Sequence, residues 1–467
     1  MIQFLKVSLT LLFTLNSFAN NKLPFKTSKE EFVAWSFKKL DEEKTFAKNQ
    51  FTLHIPASVL KIFSMTYALE KLGPDFIFKT KVYYSGVIKN NILEGNLYIV
   101  GGSDPYLNHS QIFNMALAVK TLGIKKINGS LIYDVSSYPE HQKISELGLG
   151  DQTYNPSFGP LNSEFNRHSL WKKRKDFVSI IEDLPISIEQ AHNDFFPTQK
   201  FKWRKIKNKE SWWINKSATF SKRQDIPIRN AGLWTTKLFR YHLKSLNINI
   251  EKIQKSTTPK NVHIIFENRS LPLWKLISMT MEYSNNLLAE AITIKACEAD
   301  GVRPLNQKQC AKKVASFIKK QSKATSKIQI INASGLSSKN FITTDLMASY
   351  LKNSFYKTWK GHSLQSFLSI SGQSGWIRNR LNDPGYNMHV MAKTGSLDFI
   401  NNIAGYIRTK KNEWYSFSVN HSNTEKRKAL DESSKGNFKE LINEARGWRK
   451  KSLKKVDRLL RTFIDTN

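Results

Sequence analysis

Hydrophobic residues recur at helical spacing just after Pro56 and predict an α-helix that begins near Ser58. The apolar positions are Leu60, Ile62, Phe63, Met65, Leu69 and Leu72. Pro56 favours a helix start and Gly73-Pro74 ends the helix. The same periodicity returns at Trp234–Leu246, at Leu273–Ile294 and near the end of the chain at Leu453, Val456, Leu460 and Phe463.

Apolar runs bounded by turn residues predict β-strands in two parts of the chain. The first set, separated by Asn-Asn, Gly-Gly and Asn-Gly turns, comprises Lys81–Ile88, Leu93–Val100 and Ser130–Val135. The second set is Met388–Ala392 and Ile400–Ile407, which a short turn connects. We expect this second pair to be antiparallel and to present a sheet edge to an extended peptide.

Ser58 and Lys61 lie three residues apart at the predicted helix start, so the lysine amine can reach the serine hydroxyl. In the first turn the Ser58 backbone N–H is free to stabilise an oxyanion. The alternative is a buried serine beside a lysine that extends to solvent. Only Ser58 has this helical context among the S-x-x-K pairs, the others being Ser36/Lys39, Ser169/Lys172, Ser316/Lys319, Ser354/Lys357 and Ser452/Lys455.

Two further motifs follow in a fixed order. Ser284-Asn285-Asn286 stands where an apolar helical run begins, unlike the S-x-N spacings at Ser245/Asn247 and Ser338/Asn340. Lys393-Thr394-Gly395 is the only K-[ST]-G in the chain and follows a predicted strand. The ordered trio is the signature that penicillin-binding proteins and class A β-lactamases share, and it predicts covalent catalysis by a serine.

The length of 467 residues predicts two or three domains, and 40% hydrophobic and 12% aromatic residues indicate a folded protein. At the N-terminus, Lys6 precedes a short apolar run that ends at Ser17-Phe18-Ala19. This pattern is typical of a secretory signal peptide cleaved near Ala19, and the run is too short to span a membrane. We therefore expect an exported, periplasmic protein.

The two cysteines, Cys297 and Cys310, can form a disulfide in an exported protein or remain as buried thiols. No cluster of His, Cys or carboxylates has the spacing of a metal site, so no metal is predicted. The absence of a glycine-rich phosphate loop argues against nucleotide use, and we predict no cofactor.

The net charge of +34 is partly concentrated in two segments. Lys200 to Arg223 holds nine basic residues and one acidic residue, with tryptophans between them, and Arg446 to Arg461 holds eight and one. Basic segments with aromatic residues can bind nucleic acid, which would be the proposal for a cytosolic protein. In an exported protein we expect an anionic wall polymer or a membrane surface as the partner, and no nucleic acid. The alternative is a solvated basic face without function.

Beyond the catalytic trio, the chain resembles the class C low-molecular-mass penicillin-binding proteins, the D-alanyl-D-alanine carboxypeptidase/endopeptidase group of peptidase family S13. The resemblance covers most of residues 50 to 407. It rests on Leu72-Gly73-Pro74-Asp75-Phe76, Gly101-Gly102-Ser103-Asp104-Pro105, Ile127-Asn128-Gly129, Ser334-Gly335-Leu336-Ser337 and Ala392-Lys393-Thr394-Gly395-Ser396-Leu397.

The resemblance implies an α/β (α+β) fold, in which a transpeptidase-like domain has a five-stranded antiparallel sheet with helices and is interrupted by a β-rich inserted domain. Ser58 and Ser284 are 226 positions apart, which leaves room for that insertion. We expect the catalytic domain at 20–83 and 226–435 and the insertion at 84–225. A small third domain would lie near 166–224, where the sequence matches the family poorly, and 436–467 would form a basic amphipathic extension.

The resemblance also implies site residues. Ser58 would be the nucleophile, Lys61 its base and Ser284 the proton relay to the leaving amine. The substrate-binding residues would be Asn286, Lys393, Thr394, Gly395 and Ser396, with Asp151 near an acid that contacts the substrate amine in relatives. Asn285 replaces the family's central acid, and Ser338-Lys339 replaces its arginine after G-L-S.

These residues predict a D-Ala-D-Ala carboxypeptidase or endopeptidase that acts on peptidoglycan peptides and is inhibited by β-lactams. Lys61 must be neutral to act as the base, and we expect burial and the like charge of Lys393 to lower its pKa. A β-lactamase-like hydrolase would share every motif and differ in rapid deacylation. A non-catalytic peptidoglycan-binding protein would share the fold.

Overall fold

The structure is a computed structural model that describes residues 23–146, 151–173, 176–179, 186–191, 201–206, 209–215, 222–322, 327–432 and 438–467. The predicted signal peptide and its cleavage site at Ala19 lie outside these residues. Among the described residues, no helix has the length and apolarity needed to cross a bilayer.

The described chain contains both α-helices and β-strands, with several runs of consecutive strands. The α-helices are α1 Lys61–Leu72, α2 His109–Thr121, α3 Ala231–Ser245, α4 Leu273–Tyr283, α5 Asn286–Ala299, α6 Gln307–Ser322, α7 Thr344–Ser354, α8 Thr424–Glu432 and α9 Phe438–Thr466. The strands are β1 Phe32–Lys39, β2 Thr45–Lys48, β3 Lys79–Tyr84, β4 Val87–Lys89, β5 Ile92–Glu94, β6 Leu97–Val100, β7 Lys126–Ile127, β8 Ser130–Asp134, β9 Arg167–Lys173, β10 Asp176–Ser179, β11 Ile186–Ala191, β12 Phe201–Ile206, β13 Lys209–Asn215, β14 Arg223–Pro227, β15 Lys252–Lys255, β16 His263–Arg269, β17 Thr358–Trp359, β18 His362–Ser363, β19 Ser369–Ile370, β20 Val390–Leu397, β21 Ile400–Arg408 and β22 Trp414–Ser422. Short 3₁₀ turns occupy Ala57–Leu60, Glu164–Asn166, Leu364–Phe367 and Gly375–Ile377.

The chain divides into two compact units. The first unit comprises the described residues of 1–70, 277–285 and 311–467, and the second comprises 71–276 and 286–310. The second unit is wider than the insertion expected at 84–225. The reason is that β15, β16 and α3, which follow residue 225, complete the sheet and core of the second unit.

The sheet of the first unit has the strand order β19-β20-β21-β22-β1-β2, and every neighbouring pair is antiparallel. This confirms the expected antiparallel sheet with helices. The described sheet has one strand more than the five expected, because the two-residue strand β19 pairs with the start of β20.

Helices cover both faces of this sheet because side chains of successive strand residues point to opposite faces. On one face, Tyr406 and Ser416 donate hydrogen bonds to carbonyls of α7 at 2.9 Å. On the other face, Phe417 and Val419 belong to a buried cluster that includes α9. The central helix α1 is buried from Lys61 to Leu69.

The C-terminal helix α9 corrects the expectation of an appended extension. Val456, Leu460 and Phe463 are at most 1% exposed and pack against Trp35 and Phe37 of the sheet. The predicted helical spacing is therefore present, but its apolar face forms part of the core of the first unit. The basic residues of α9 lie mainly on its outer face.

The second unit is built on a mixed sheet with the order β15-β8-β6-β3-β16. Helices α2 and α3 pack on it through apolar residues such as Met115 and Phe239, which are fully buried. A disulfide joins Cys297 of α5 to Cys310 of α6 in this unit. The pairing that the sequence left open is thus present.

Two three-stranded sheets, β10-β9-β14 and β11-β13-β12, occupy the segment where a third domain was expected. Trp212 is fully buried in their apolar cluster with Leu170 and Ile226. One tryptophan of the basic segment 200–223 is therefore a core residue and cannot stack on an external base.

Candidate active site

Ser58 lies in the 3₁₀ turn that leads into α1, and Lys61 is the first residue of that helix. The Lys61 Nζ is 2.9 Å from the Ser58 Oγ and donates a 2.6 Å hydrogen bond to the Ser334 carbonyl. Lys61 is fully buried, whereas Ser58 is partly exposed. The pair therefore joins a partly exposed serine to an amine held inside the protein.

The other S-x-x-K pairs place their lysines or hydroxyls elsewhere. Lys455 forms an ion pair with Glu31 at 2.6 Å, and the Ser452 Oγ is 2.7 Å from a histidine nitrogen. The Ser354 hydroxyl donates to the Tyr350 carbonyl at 2.8 Å. In these two pairs, the lysine or the hydroxyl therefore has a partner outside its own S-x-x-K motif.

Two glycines allow other segments to approach the backbone of the Ser58 turn. A Cβ on Gly335 would lie 1.9 Å from the Ala57 carbonyl oxygen, and φ at Gly335 is +78°. A Cβ on Gly395 would lie 2.8 Å from the Ser58 nitrogen. Any larger residue at either position would clash with this turn, so both motifs pack directly on the nucleophile's backbone.

Ser284 forms a second pair with Lys393. Ser284 follows α4 with φ of +59°, and its Oγ is 2.9 Å from the Lys393 Nζ. The same amine donates to the Thr394 carbonyl at 2.9 Å. Burial lowers the pKa of Lys393 to about 7, because desolvation disfavours the ammonium form. Lys393 can therefore exchange a proton near neutral pH.

Strand β20 presents the K-T-G motif beside Ser58. In register with β21, Gly395 is opposite Asn402 and Ser396 is opposite Asn401. The short strand β19 pairs only with Met391 and Ala392. In the described part of the sheet, the segment 393–397 thus pairs on one side only, as the predicted open edge requires.

Asn286 and Asp151 belong to the second unit. The Asn286 side chain donates to the Tyr154 carbonyl at 2.9 Å. The Asp151 carboxylate accepts from Arg229 at 2.9 Å and from the Trp203 backbone N–H at 3.0 Å. Asp151 is therefore already bound by an arginine that is almost completely buried.

Sequence reasoning missed several supporting groups. The Ser334 carbonyl that receives the Lys61 amine lies in the quoted S-G-L-S motif, which was the available signal. Arg229, which holds Asp151, carries no sequence pattern that distinguishes it from other arginines. In the described residues, no group of three or more His, Cys, Asp or Glu side chains is arranged to hold a metal ion.

Comparison with known proteins identifies a matching family. The model of the D-Ala-D-Ala carboxypeptidase 3 (S13) family matches residues 29–163 and 218–438. The chain is 25% identical to D-alanyl-D-alanine carboxypeptidase DacB of Haemophilus influenzae over 438 residues, covering 88% of this chain and 90% of that protein. The unmatched residues 164–217 largely coincide with the region expected near 166–224.

Two solved structures have a similar fold. Penicillin binding protein 4 (dacB) from Haemophilus influenzae gives a TM-score of 0.75 at 22% identity, covering 93% of this chain and 98% of that one. A predatory endopeptidase from Bdellovibrio bacteriovorus, in complex with an immunity protein, gives 0.52 at 15% identity, covering 92% and 93%.

Proposed function

The chain belongs to the D-Ala-D-Ala carboxypeptidase 3 (S13) family, and we propose that it is a serine DD-peptidase of peptidoglycan. It would cleave D-Ala-D-Ala stem peptides or crosslinks through an acyl-enzyme on Ser58. The observation that carries this proposal is the buried Lys61 amine, 2.9 Å from the hydroxyl of the partly exposed Ser58. The relatives' carboxypeptidase names support the substrate class.

In the first step, the Ser58 Oγ attacks the carbonyl carbon of the scissile amide while its proton passes to Lys61. The C–N bond then breaks, and the departing amine receives a proton through Ser284. Water attacks the resulting ester and releases the shortened peptide, which restores the Ser58 hydroxyl. No external oxidant or cofactor enters this sequence.

Strand β20 would hold the substrate as an added extended segment. Lys393, Thr394 and Ser396 would bind the terminal carboxylate or the crosslink carbonyl, and Gly395 would allow the close approach. The backbone N–H groups of Ser58 and Ser396 would form the oxyanion hole. An added Cβ at Gly395 would lie only 2.8 Å from the Ser58 nitrogen, and this closeness of β20 to the Ser58 backbone supports the arrangement.

The resemblance gives two further residues a role in recognising the rest of the peptide. We propose that Asn286, two positions after Ser284, holds the substrate amide. A free amine of the substrate would donate to Asp151 in addition to Arg229. The Asp151 carboxylate can accept both because it has about four acceptor positions. This role requires that the Arg229 pairing persist when substrate binds.

Labelled penicillin and purified muropeptides test the reaction together. We expect covalent labelling of the peptide that contains Ser58 and release of D-Ala or of uncrosslinked fragments, identified by mass spectrometry. Ser58→Ala should abolish both. Rapid penicillin turnover without muropeptide cleavage would indicate a β-lactamase, and binding without either reaction would indicate a non-catalytic wall protein.

We also propose that the protein is exported to the periplasm, with a signal peptide cleaved near Ala19. The Cys297–Cys310 disulfide supports an oxidising compartment. N-terminal sequencing of the protein from a periplasmic fraction tests the proposal. A mature N-terminus at Met1 would contradict it.

The outer face of α9 is a candidate surface for an anionic wall polymer. Its exposed basic residues are Arg446, Arg449, Lys450, Lys451, Lys454 and Arg458. A helix that inserts into a bilayer offers its apolar face to lipid, but Val456, Leu460 and Phe463 are buried in the protein core, so only binding by charge remains open to this face. A polyanion contacted by charge alone is therefore favoured over a membrane.

Charge removal tests this surface without removing the helix. The triple variant Lys450→Gln/Lys454→Gln/Arg458→Gln should bind isolated wall sacculi less well in low salt, and the deficit should shrink as salt screens the charges. A matched control, Lys312→Gln/Lys319→Gln/Lys320→Gln, removes three exposed charges from α6. Equal loss in both variants would indicate a general effect of net charge. A selective deficit that is as large on anionic vesicles as on sacculi would indicate an anionic membrane surface instead of a wall polymer.

A further inference from the structure

A chain of buried polar side chains links α9 to the catalytic sheet of the first unit. The Ser452 Oγ accepts a hydrogen bond from the Asn401 side chain at 2.9 Å and lies 2.7 Å from the His421 Nδ1. The His421 Nε2 lies 3.4 Å from Glu31, which pairs with Lys455 at 2.6 Å. Ser452, Asn401 and His421 are at most 1% exposed.

One end of this chain lies opposite Ser396. Asn401 of β21 is the register partner of Ser396 of β20. In the described sheet, β21 is the only strand that pairs with the segment 393–397, and on its other side Gly395 packs on the Ser58 turn. A shift of β21 at Asn401 would therefore act directly on the strand partner of Ser396.

The turn between β20 and β21 contacts α9 and also the residue before α8. The Phe399 carbonyl accepts from the Asn423 N–H at 2.9 Å, and the Phe399 ring lies 6.0 Å from the Trp448 ring of α9. Asp398 interacts electrostatically with Arg446 and Arg449 of that helix. The helix thus contacts the hairpin at its turn and at the residue opposite Ser396.

We propose that Ser452 is a positioning residue that fixes Ser396 beside Ser58 through Asn401. This inference rests on the proposed function, in which Ser396 binds substrate and supplies an oxyanion donor. Ser452 lies after residue 438, where the family match ends.

The physical reason is that a buried amide must keep its partner. Without the Ser452 hydroxyl, the Asn401 amide and the His421 nitrogen both lose a buried hydrogen bond, and Asn401 must reorient. A displacement of about 1 Å at a reacting group can slow catalysis by about a hundredfold. A general loss of core packing would instead lower stability without a selective loss of rate.

Ser452→Ala and Val456→Ala separate these possibilities. Both residues are 1% exposed and lie one turn apart on the buried face of α9, but of the two only Ser452 forms hydrogen bonds with Asn401 and His421. At a temperature where both variants remain folded, Ser452→Ala should acylate with labelled penicillin about tenfold more slowly than wild type. Val456→Ala should stay within about twofold despite a comparable fall in melting temperature.

A conservative substitution and a double variant test whether Ser452 acts on the acylation rate through Asn401. Ser452→Thr keeps the hydroxyl and should recover most of the acylation rate. Asn401→Ala should slow acylation to a similar extent, and adding Ser452→Ala to it should cause little further loss, because both changes break one connection. If Ser452→Ala instead tracks Val456→Ala, or the two losses multiply, the positioning role is wrong.

The outcome is distinguishable from failure of the proposed function. If wild-type protein does not form a Ser58 adduct, the reaction itself is wrong and no rate comparison arises. If wild type is labelled but Ser452→Ala is labelled at the wild-type rate, only the positioning role fails. Amide hydrogen exchange at Asn401, which pairs with His421 of β22, provides a second readout, and it should accelerate in Ser452→Ala but not in Val456→Ala.

Discussion

The two serine–lysine pairs of the first unit have the same distance between Oγ and Nζ, but the chain brings each pair together in a different way. Ser58 and Lys61 are 2.9 Å apart and three residues apart in sequence. Ser284 and Lys393 are also 2.9 Å apart, but 109 residues separate them. The first pair is formed by one helical turn, whereas the second requires α4 and β20 to meet.

The surroundings of the two amines differ as well. Lys61 donates to the Ser334 carbonyl at 2.6 Å, and Lys393 donates to the carbonyl of its neighbour Thr394. Burial alone accounts for the lowered pKa of Lys393. Equal distances therefore do not imply equal roles, and the proposed division into a base and a substrate-binding lysine can be tested.

Replacing each lysine by methionine should give the largest difference in acylation between the two pairs. Lys61→Met removes the proposed base and should slow acylation by about a hundred- to ten-thousandfold. Lys393→Met removes one charged hydrogen bond to the substrate carboxylate, worth about 1.5–3 kcal/mol, and should cost about ten- to a hundredfold. Stopped-flow acylation with labelled penicillin measures both.

Most of the Lys393→Met loss should appear as weaker binding, whereas the Lys61→Met loss should appear in the rate at saturation. Methionine keeps the volume of the buried stem in both cases. Equal losses at saturating penicillin, or a larger loss in Lys393→Met, would reverse the proposed assignment.

The same contrast explains how much the sequence could predict. The S-x-x-K pair was predictable because helical spacing alone brings Ser58 and Lys61 together. The K-T-G strand was predicted from its apolar run, but its contact with the Ser58 turn depends on chain folding over hundreds of residues. The missed contacts, such as Arg229 with Asp151, join segments with no shared pattern.

Helix α9 shows a different limit of prediction from sequence. The spacing of Leu453, Val456 and Leu460 correctly predicted an amphipathic helix. It did not reveal whether that apolar face meets the protein's own sheet or an external partner, because both give the same periodicity. Only the buried cluster with Trp35 and Phe37 decides the matter.

Gly335→Ala should test how closely the Ser58 turn is held. The added Cβ would lie 1.9 Å from the Ala57 oxygen, at a φ of +78°. Gly361 has a φ of +84° with no atom within 4 Å of its Cβ position, so Gly361→Ala is a matched control for backbone strain. We expect the control to lose about 1 kcal/mol of unfolding free energy and Gly335→Ala about 3 kcal/mol or more.

Acylation gives the second readout of this comparison. Gly335→Ala should also slow labelling of Ser58, because Ala57 must move, whereas Gly361→Ala should not. Urea denaturation and penicillin labelling measure the two effects. Similar stability losses in both variants would show that the turn can shift without cost.

Lys393 should also make stability depend on pH in a defined direction. Its pKa of about 7 in the folded protein lies below the value of about 10.4 in an unfolded chain. Between these values unfolding takes up a proton, so the free energy of unfolding should rise with pH, by up to about 1.4 kcal/mol per pH unit. Below pH 7 both states are protonated and this contribution is flat.

Urea denaturation between pH 7 and 10 measures the slope. Lys393→Met should lose this part of the rise, and Lys411→Met, which removes an exposed lysine of the same unit, should keep it. Parallel curves for wild type and Lys393→Met would mean that Lys393 remains charged when buried.

The smallest effect is expected at Asn285, which stands where the family has an acid. Asn285→Asp places a carboxylate directly beside Ser284, whose hydroxyl contacts the Lys393 amine. The working groups Ser284 and Asn286 are unchanged, so acylation at neutral pH should change by less than about threefold. The new negative charge favours the ammonium form, so the lysine-dependent stability rise should begin at a higher pH than in wild type. Asn285→Ser, which adds no charge, is the control and should leave that onset in place. A tenfold loss of acylation in both variants would show that the Asn285 side chain itself is needed, and an unchanged onset in Asn285→Asp would show that position 285 does not influence Lys393.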